Sequence, residues 1–405
     1  MTELTVPAWL NEKFLETVFQ EEEINQTSIA IIDYDIKSVM PPGSNYSSDM
    51  FRVRVVYSVG NSRQEQVTSV IIKVPVVEGV FKEIEEYFSR EPIMYEKQLP
   101  AMSKKINHEF APKSFHSPLK NVLVLKDLKD EGYVIADKFK QLDYPHCELV
   151  FKTVAKFHAA SLACYHDDLR FIEGVSAENF YIEGGTSFRS FMEGFVNQFG
   201  KAFDVFGVAD SFKRLFNDRV GRLWDSGVMA CKPKETGSNV LVHGDLWCNN
   251  LMFKYDGSGN LLDVKFLDYQ RTKFCSPVVD LLYFLWSSAN SEVLDSRQKE
   301  LYSIYLETLN STLEHLGSEA RLSEEELQDD LRALSDWALI CLCFTTPLML
   351  AEPDNALDLE AIELHSVEND ENTRKVQQMY GGKHAKTLIP RLTRSYEKWV
   401  NGLYT

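Results

Sequence analysis

The chain has 405 residues, of which 44% are hydrophobic and 25% charged, and its formal net charge is −17. This is the composition of a globular protein with one large or two modest domains, and the acidic surplus argues against nucleic acid as a partner. The seven cysteines include no C-x-x-C pair, which argues against a disulfide framework and a structural zinc and predicts reduced thiols.

The sequence shows neither a membrane-spanning run nor a secretory signal. No apolar run reaches the roughly 18 residues that a spanning helix needs. The longest, residues 339–351, is interrupted by two threonines and a proline and predicts a buried helix. The first residues lack the basic stretch and the continuous hydrophobic segment of a signal peptide. We therefore expect a cytoplasmic protein without a membrane partner.

The N-terminal third predicts a helix followed by strands. Residues 1 to about 30 carry apolar residues at helical spacing, and alternation with β-branched residues predicts strands at 29–37 and 51–59. The loop between these strands, PPGSNYSSD, is rich in small residues whose amides and hydroxyls could cover phosphate groups. It lacks a Walker lysine and the G-x-G-x-x-G spacing, and plain turn chemistry explains it equally well.

The next strand contains an isolated cation. Residues 67–74 are apolar except for Thr68, Ser69 and Lys73, and a lysine in such a run needs a partner. Residues 81–98 predict a helix that offers Glu91 and Glu96. The alternative is a lysine that reaches solvent from the strand end beside a solvated glutamate.

A hinge is predicted where the strands give way to helices. Residues 122–127 predict a strand that runs into the polar stretch LKDEG, and from Tyr144 onward the chain is mostly helical. His158 lies in a core helix without a second ligand nearby, so we interpret it as structural. Residues 171–224 are rich in aromatic residues, most of which should be core while some could line an apolar acceptor pocket.

The stretch LVHGDLWCNNLMF, residues 241–253, predicts a phosphotransferase catalytic loop because it places His243, Gly244, Asp245 and Asn250 between apolar flanks. An aspartate here can accept a hydrogen bond from a substrate hydroxyl, and an asparagine five residues later can turn its amide oxygen toward a magnesium ion. We therefore expect one loop to hold both the base and a metal ligand.

A strand that ends in Asp268 follows. Residues 261–269, LLDVKFLDY, alternate like a strand, and the turn DGSGN before them predicts a hairpin. Asp268 should therefore return beside Asn250, where the two oxygen donors would suit magnesium with nucleotide phosphates. Asp280, in SPVVDLLYFLW, is predicted to cap the next helix and to bond back to the catalytic loop. Amphipathic helices fill the rest of the chain.

The motifs HGDLWCNN, FLDYQ and SPVVD, in this order, resemble the aminoglycoside phosphotransferase and choline kinase superfamily. Trp247, Asn249 and the YQ after Asp268 resemble, more narrowly, the ecdysteroid kinase-like family of insects. The resemblance implies that Lys73 holds ATP phosphates and pairs with Glu91, which fits the family's F-x-x-E-x-x-x-Y pattern. It also implies a phosphate loop at Asn45, Tyr46, Ser47 and Ser48. The family usually has an acidic residue where this chain has Lys126.

These observations predict a two-lobed, protein-kinase-like α+β fold. Residues 1–125 would form a nucleotide-binding lobe with a small antiparallel sheet, 126–130 the hinge against which adenine lies, and 131–405 a helical lobe with the catalytic loop and the acceptor region. The predicted function is phosphorylation by ATP and Mg²⁺ of a hydroxyl on a small, lipophilic molecule such as an ecdysteroid. Asp245 would be the base, His243 would order the loop, and Asn250 and Asp268 would bind the metal.

Two alternatives stay open. A choline- or aminoglycoside-type kinase would share the catalytic residues but would need an anionic or aromatic cage for its cationic acceptor. A pseudokinase would bind a ligand or partner without turnover, although the intact catalytic residues argue against it. A protein kinase is disfavoured because H-R-D, D-F-G and A-P-E are absent. The sequence does not indicate an oligomeric state.

Overall fold

The computed structural model describes residues 6–22, 28–39, 48–60, 64–75, 87–185, 187–352, 354 and 370–403. It has a small lobe built on a five-stranded sheet and a larger, mostly helical lobe. The small lobe contains α1 (Glu12–Glu22), β1 (Ile29–Ser38), β2 (Ser48–Val59), β3 (Gln66–Pro75), α2 (Tyr87–Ile93), α3 (Leu99–Ile106), β4 (Ser114–Phe115) and β5 (Leu123–Lys126). The predicted two-lobed, kinase-like α+β fold is confirmed.

The small-lobe sheet is antiparallel with strand order β1-β2-β3-β5-β4. The apolar face of α1 packs on one face of this sheet, where alternate strand residues are buried. The strands predicted at 29–37, 51–59 and 67–74 are confirmed with ends extended by one to three residues, and the strand predicted at 122–127 is confirmed over residues 123–126. The first helix is shorter than predicted, since residues 6–10, which include Pro7, precede it outside regular helix.

The helix that carries Glu91 is not uniform. Pro92 lies inside α2, and the next turn, Met94–Gln98, is a π-helix that continues directly into α3. Proline supplies no backbone N–H to a helix, so a widened turn nearby is a common accommodation.

The hinge is predicted after β5, where a 3-10 helix, Leu128–Glu131, follows. In this segment Lys126 forms an ion pair with Glu131 at 2.6 Å.

The large lobe places two small sheets among its helices. The first sheet pairs β7 with β10, and the second has the order β6-β8-β9. The elements of this lobe are β6 (Tyr133–Ile135), α4 (Tyr144–Asp167), α5 (Ser187–Lys201), α6 (Phe203–Phe206), α7 (Asp210–Arg219), α8 (Leu223–Cys231), β7 (Val240–Val242), β8 (Leu251–Tyr255), β9 (Leu261–Phe266), β10 (Lys273–Cys275), α9 (Val278–Ser288), α10 (Ser291–Ser296), α11 (Gln298–His315), α12 (Glu324–Ala333), α13 (Ser335–Ile340), α14 (Thr346–Leu350), α15 (Asp370–Tyr380) and α16 (Lys383–Gly402).

The predicted hairpin is confirmed as β8 and β9, which pair antiparallel across the DGSGN turn. The predicted catalytic loop lies between β7 and β8, and the backbone N–H of Leu267 donates to the carbonyl of Asn250 at 2.9 Å. The hairpin therefore brings Asn250 and Asp268 to neighbouring positions.

The apolar run at 339–351 is buried, as predicted, and consists of the end of α13, a π-helical turn at Cys341–Thr345 and α14. None of the described helices is long and apolar enough to cross a membrane by itself. One bent pair, Glu324–Ala333 with Ser335–Leu350 at 53°, reaches the required length and composition together.

Candidate active site

Three predicted site residues from distant parts of the chain meet at one point. The Lys73 ammonium donates to Glu91 Oε2 at 2.7 Å and to Asp268 Oδ1 at 2.9 Å. Glu91 also accepts from the backbone N–H of Tyr269 through Oε1, at 3.3 Å. The lysine therefore joins β3 to α2 and to the segment that follows β9, and its contact with Glu91 is the one that the family resemblance implies.

The charges in this triad perturb one another. Burial alone would lower the pKa of Lys73, but the carboxylates of Asp268 and Glu91 raise it above its ordinary value. Burial raises the pKa of Glu91 despite the opposing charge of Lys73. A lysine that stays positive between two acidic groups is suited to receive the phosphates of a nucleotide.

Asp245, the predicted base, is held on several sides. Its Oδ1 accepts from the hydroxyl of Tyr283 at 2.5 Å and lies 3.8 Å from Nη1 of Arg271. Its Oδ2 accepts from Nδ2 of Asn250 at 3.0 Å. The Asp245 side chain is 15% exposed. Burial raises its pKa, and the charge of Arg271 offsets part of this effect.

His243 bridges the catalytic loop and the hairpin. Its Nε2 lies 3.0 Å from the carbonyl oxygen of Leu267, which can only accept, so this nitrogen carries the proton. Its Nδ1 then accepts from the backbone N–H of Asp245 at 3.3 Å. Burial lowers the pKa of His243, which favours this neutral form. The histidine thus connects the backbone of Asp245 to Leu267, the residue before Asp268, and this arrangement is consistent with its predicted ordering of the loop.

Asp280 fixes the backbone of the catalytic loop. Its Oδ2 accepts from the N–H of His243 at 2.7 Å and its Oδ1 from that of Gly244 at 2.8 Å. Its Oδ2 also lies 3.1 Å from Nε2 of His158, so that histidine has the structural role predicted for it. The predicted capping is wrong in detail, because Pro277 occupies the cap position of α9 and Asp280 lies in the first turn.

Gly244 leaves no room for a side chain. It has a φ of 77°, and a Cβ at this position would lie 2.0 Å from the carbonyl oxygen of Arg271. The loop therefore passes directly over the segment that follows Asp268, and only glycine permits this approach.

The predicted metal ligands fit a hard cation. Nδ2 of Asn250 donates to both the carbonyl and Oδ2 of Asp245, which leaves the amide oxygen of Asn250 as its remaining donor to a metal. The Asp268 side chain is 30% exposed, and Lys73 contacts only its Oδ1. Among the described residues, no three His, Cys, Asp or Glu side chains converge as a metal site. A magnesium ion here would need further oxygens from phosphates and water, as is common for this ion.

Part of the predicted phosphate loop can be located. Ser48 is buried at the start of β2, and it lines a small cavity together with Lys73 and Glu91. The other three candidates, Asn45, Tyr46 and Ser47, lie outside the described residues.

The aromatic stretch is mainly core, as predicted. Nine of the twelve aromatic residues in 171–224 are buried, and Phe171, Phe180 and Phe188 are partly buried. The guanidinium of Arg271 lies 4.7 Å from the centre of the Phe180 ring. A larger cavity of about 470 Å³ lies between α5 and α8, and Asp245 does not line it. Within the aromatic stretch, Phe180, which contacts Phe188, is thus linked to Asp245 through Arg271.

Three residues that contact the site were not found by sequence analysis. Arg271 lies three residues after Asp268, and Tyr283 lies three residues after Asp280 on the same face of α9. Arg90 donates to the carbonyls of Gln270 and Thr272 at 3.3 and 2.9 Å. No local pattern in the sequence marked these three residues, because each contact joins segments that are far apart along the chain.

Comparisons with known proteins identify a matching family model and solved structures to which this chain is distantly similar. No curated protein sequence gives a significant match. A choline kinase from Cryptosporidium parvum has 13% identity and a TM-score of 0.39, over 98% of this chain and 96% of that one. A choline/ethanolamine kinase family protein from Mesorhizobium loti has 13% identity and a TM-score of 0.38, over 90% and 92%. An aminoglycoside phosphotransferase from Streptomyces rimosus has 12% identity and a TM-score of 0.32, over 76% and 93%.

The model of the ecdysteroid kinase-like family matches residues 42–318. This range contains the Lys73, Glu91 and Asp268 triad, the catalytic loop and Asp280. It also covers well over half of the sequence, which confirms the resemblance drawn from the loop and hairpin motifs. The chain belongs to the ecdysteroid kinase-like family.

Proposed function

We propose that this protein is an ATP- and magnesium-dependent kinase that phosphorylates a hydroxyl group of a small molecule. The observation that carries the proposal is the meeting of Lys73 with Glu91 and Asp268, next to a loop that presents Asp245 and Asn250. The lysine would hold the nucleotide phosphates, and Asn250 with Asp268 would hold magnesium. When bound, the metal would neutralise charge on the phosphates.

In this reaction Asp245 receives the proton of the acceptor hydroxyl. The hydroxyl oxygen forms a bond to the γ-phosphorus of ATP, the bond from that phosphorus to the bridging oxygen breaks, and ADP leaves. Asn250 and Tyr283 fix the carboxylate in place during this step. His243 and Asp280 hold the backbone that carries it.

We propose a neutral, lipophilic alcohol such as an ecdysteroid as the acceptor. The guanidinium of Arg271 lies 3.8 Å from Asp245, and this positive charge beside the base disfavours a cationic acceptor such as choline or an aminoglycoside. The Phe180 ring, which packs against the guanidinium of Arg271, offers an apolar surface beside this charge. The family description supports the same class of acceptor.

The test combines an acceptor screen with one substitution. We expect transfer of radiolabelled phosphate from ATP to ecdysone to be more efficient than transfer to choline or kanamycin. Asp245→Asn should lower turnover by orders of magnitude with ATP affinity little changed, because it removes the proton acceptor and keeps the size of the side chain.

Three outcomes would contradict parts of the proposal. Efficient choline turnover without any response to lipophilic alcohols would overturn the acceptor class and leave the kinase assignment intact. Near-normal turnover of the Asp245→Asn variant would show that the catalytic loop is wrongly assigned. A protein that binds ATP but consumes none with any acceptor would favour the pseudokinase alternative.

A further inference from the structure

Tyr283 and Asp280 lie on the same face of α9, one helical turn apart, and both contact the catalytic loop. Asp280 accepts from the backbone N–H groups of His243 and Gly244. Tyr283 reaches the side chain of Asp245 through its hydroxyl. One turn of a buried helix thus holds both the backbone of the loop and the carboxylate of the proposed base.

The Tyr283 side chain is itself held in place. It is 4% exposed, and the ring of Trp337 stacks on it at 6.3 Å between centroids with an interplanar angle of 30°. Trp337 is 1% exposed and donates its indole N–H to the carbonyl of Val279 at 3.1 Å. The phenol therefore cannot swing away from Asp245 without displacing a buried indole that is anchored to the same helix.

The contact restricts how the carboxylate can turn. Tyr283 donates to Oδ1 and Asn250 donates to Oδ2, so the two donors fix the plane of the carboxylate from opposite oxygens. Rotation of the Asp245 side chain would break both bonds. A fixed plane presents the remaining lone pairs in one direction, which favours a single orientation of the acceptor hydroxyl.

We propose that Tyr283 is a positioning residue of the phosphotransfer reaction, which acts through Asp245 by holding its carboxylate in the orientation that accepts the proton of the acceptor hydroxyl. This inference rests on the proposed function. Tyr283 keeps its own proton throughout, because burial and the neighbouring Asp245 raise the pKa of its phenol well above its ordinary value. The proton of the acceptor passes to Asp245 alone.

The test uses Tyr283→Phe, which removes only the hydroxyl, with Tyr302→Phe as the matched control. Tyr302 is also 4% exposed, and its hydroxyl bonds to Gln298 on α11 at 3.2 Å. Turnover is measured with radiolabelled ATP and magnesium, with ecdysone and, in parallel, water as acceptors. We expect kcat of Tyr283→Phe to fall about ten- to hundredfold, since it loses a hydrogen bond to a charged group. KM for ATP should stay within about twofold, and the control should resemble the wild type.

A second measurement separates positioning from general structural damage. In an Asp245→Asn background, read out by product accumulated over long incubations, we expect Tyr283→Phe to cause no further loss, because the group through which it acts is gone. The inference is overturned by an unchanged kcat, by an equal loss in the control, or by an equal further loss in the Asp245→Asn background. If Asp245→Asn itself retains normal turnover, or if no transfer occurs at all, the proposed function fails and this inference fails with it.

Discussion

Asp268 has to serve two partners in the proposed reaction, because its Oδ1 accepts from Lys73 while the carboxylate is also a proposed magnesium ligand. Its backbone has a φ of 66°, in the left-handed region that aspartate tolerates better than most residues. Such conformations often occur at functional sites. Asn250 is different, since it offers a neutral oxygen to the metal and its amide N–H groups donate to Asp245.

This difference predicts unequal effects on magnesium. We expect Asp268→Ala to weaken the magnesium-dependent part of ADP binding more than Asn250→Ala does, because it removes the anionic ligand. Calorimetric titration of ADP with and without magnesium measures this part directly. Asp268→Asn is the matched control, since it keeps an oxygen and loses only the charge, and its effect should be intermediate. An Asp268→Ala protein with normal magnesium dependence would rule out the assignment.

For single residues, patterns within short stretches of the sequence predicted part of the site. They missed the residues whose contacts depend on how distant segments pack. The lysine in an apolar strand indicated that a partner exists, and the resemblance to the family's F-x-x-E-x-x-x-Y pattern selected Glu91 as that partner. The contact from Tyr283 to Asp245 depends on how α9 packs against the loop, and no local pattern contains this information. The aromatic stretch illustrates the same limit, because a ring in a core and a ring in a pocket have the same hydrophobicity.

Among the elements, α2 has the most direct effect on the geometry of the site. Its consecutive residues Arg90 and Glu91 both contact the segment after Asp268. Arg90 donates to backbone carbonyls of that segment, and Glu91 accepts from the backbone N–H of Tyr269. Arg90 also donates to Oδ1 of Asn179 at 2.8 Å, and its side chain is buried. The sequence predicted this helix and its glutamate, but the arginine contacts require the folded positions of two other segments.

These contacts predict that Arg90→Lys impairs ATP use. An ammonium group cannot reproduce the planar fork of a guanidinium, so several buried bonds would be lost. We expect a fall of about 2 kcal/mol in the free energy of unfolding, together with a several-fold rise in KM for ATP because Glu91 shifts relative to Lys73. Urea denaturation and ATP titration measure the two effects. The exposed Arg54 on β2 provides a control substitution to lysine, and equal behaviour of both variants would contradict this role.

At the scale of the whole molecule, a buried ion pair joins the segment before α5 to the strand after the hairpin. The Lys273 side chain is 1% exposed and contacts Oε2 of Glu178. The other oxygen of Glu178 accepts from the backbone N–H groups of residues 179–181. Although burial alone would raise it, the charges of Lys273 and Arg271 lower the pKa of Glu178 to about 2.

This shift predicts how stability depends on pH. Because the pKa of Glu178 is lower in the folded protein than its ordinary value of 4.5, its stabilising contribution is complete above that pH and is lost as the pH falls toward 2. The contribution amounts to about 3 kcal/mol. We expect Glu178→Gln to reduce the loss of unfolding free energy between neutral and acidic pH, as measured by urea denaturation. Glu193→Gln, in an exposed pair with Arg189, is the control. A wild-type pH dependence in Glu178→Gln would contradict this account.

The hydrogen bonds of Arg90 and Glu91 to the segment after Asp268 limit how the proposed kinase could be regulated. Kinase folds can be switched off by moving the glutamate helix away from its lysine. In this protein an outward movement of α2 would break three bonds of a buried guanidinium as well as the contact from Tyr269. For the proposed kinase, this predicts activity whenever ATP and its acceptor are present. The rate of the proposed reaction would then depend on the amount of protein and on the supply of the proposed acceptor.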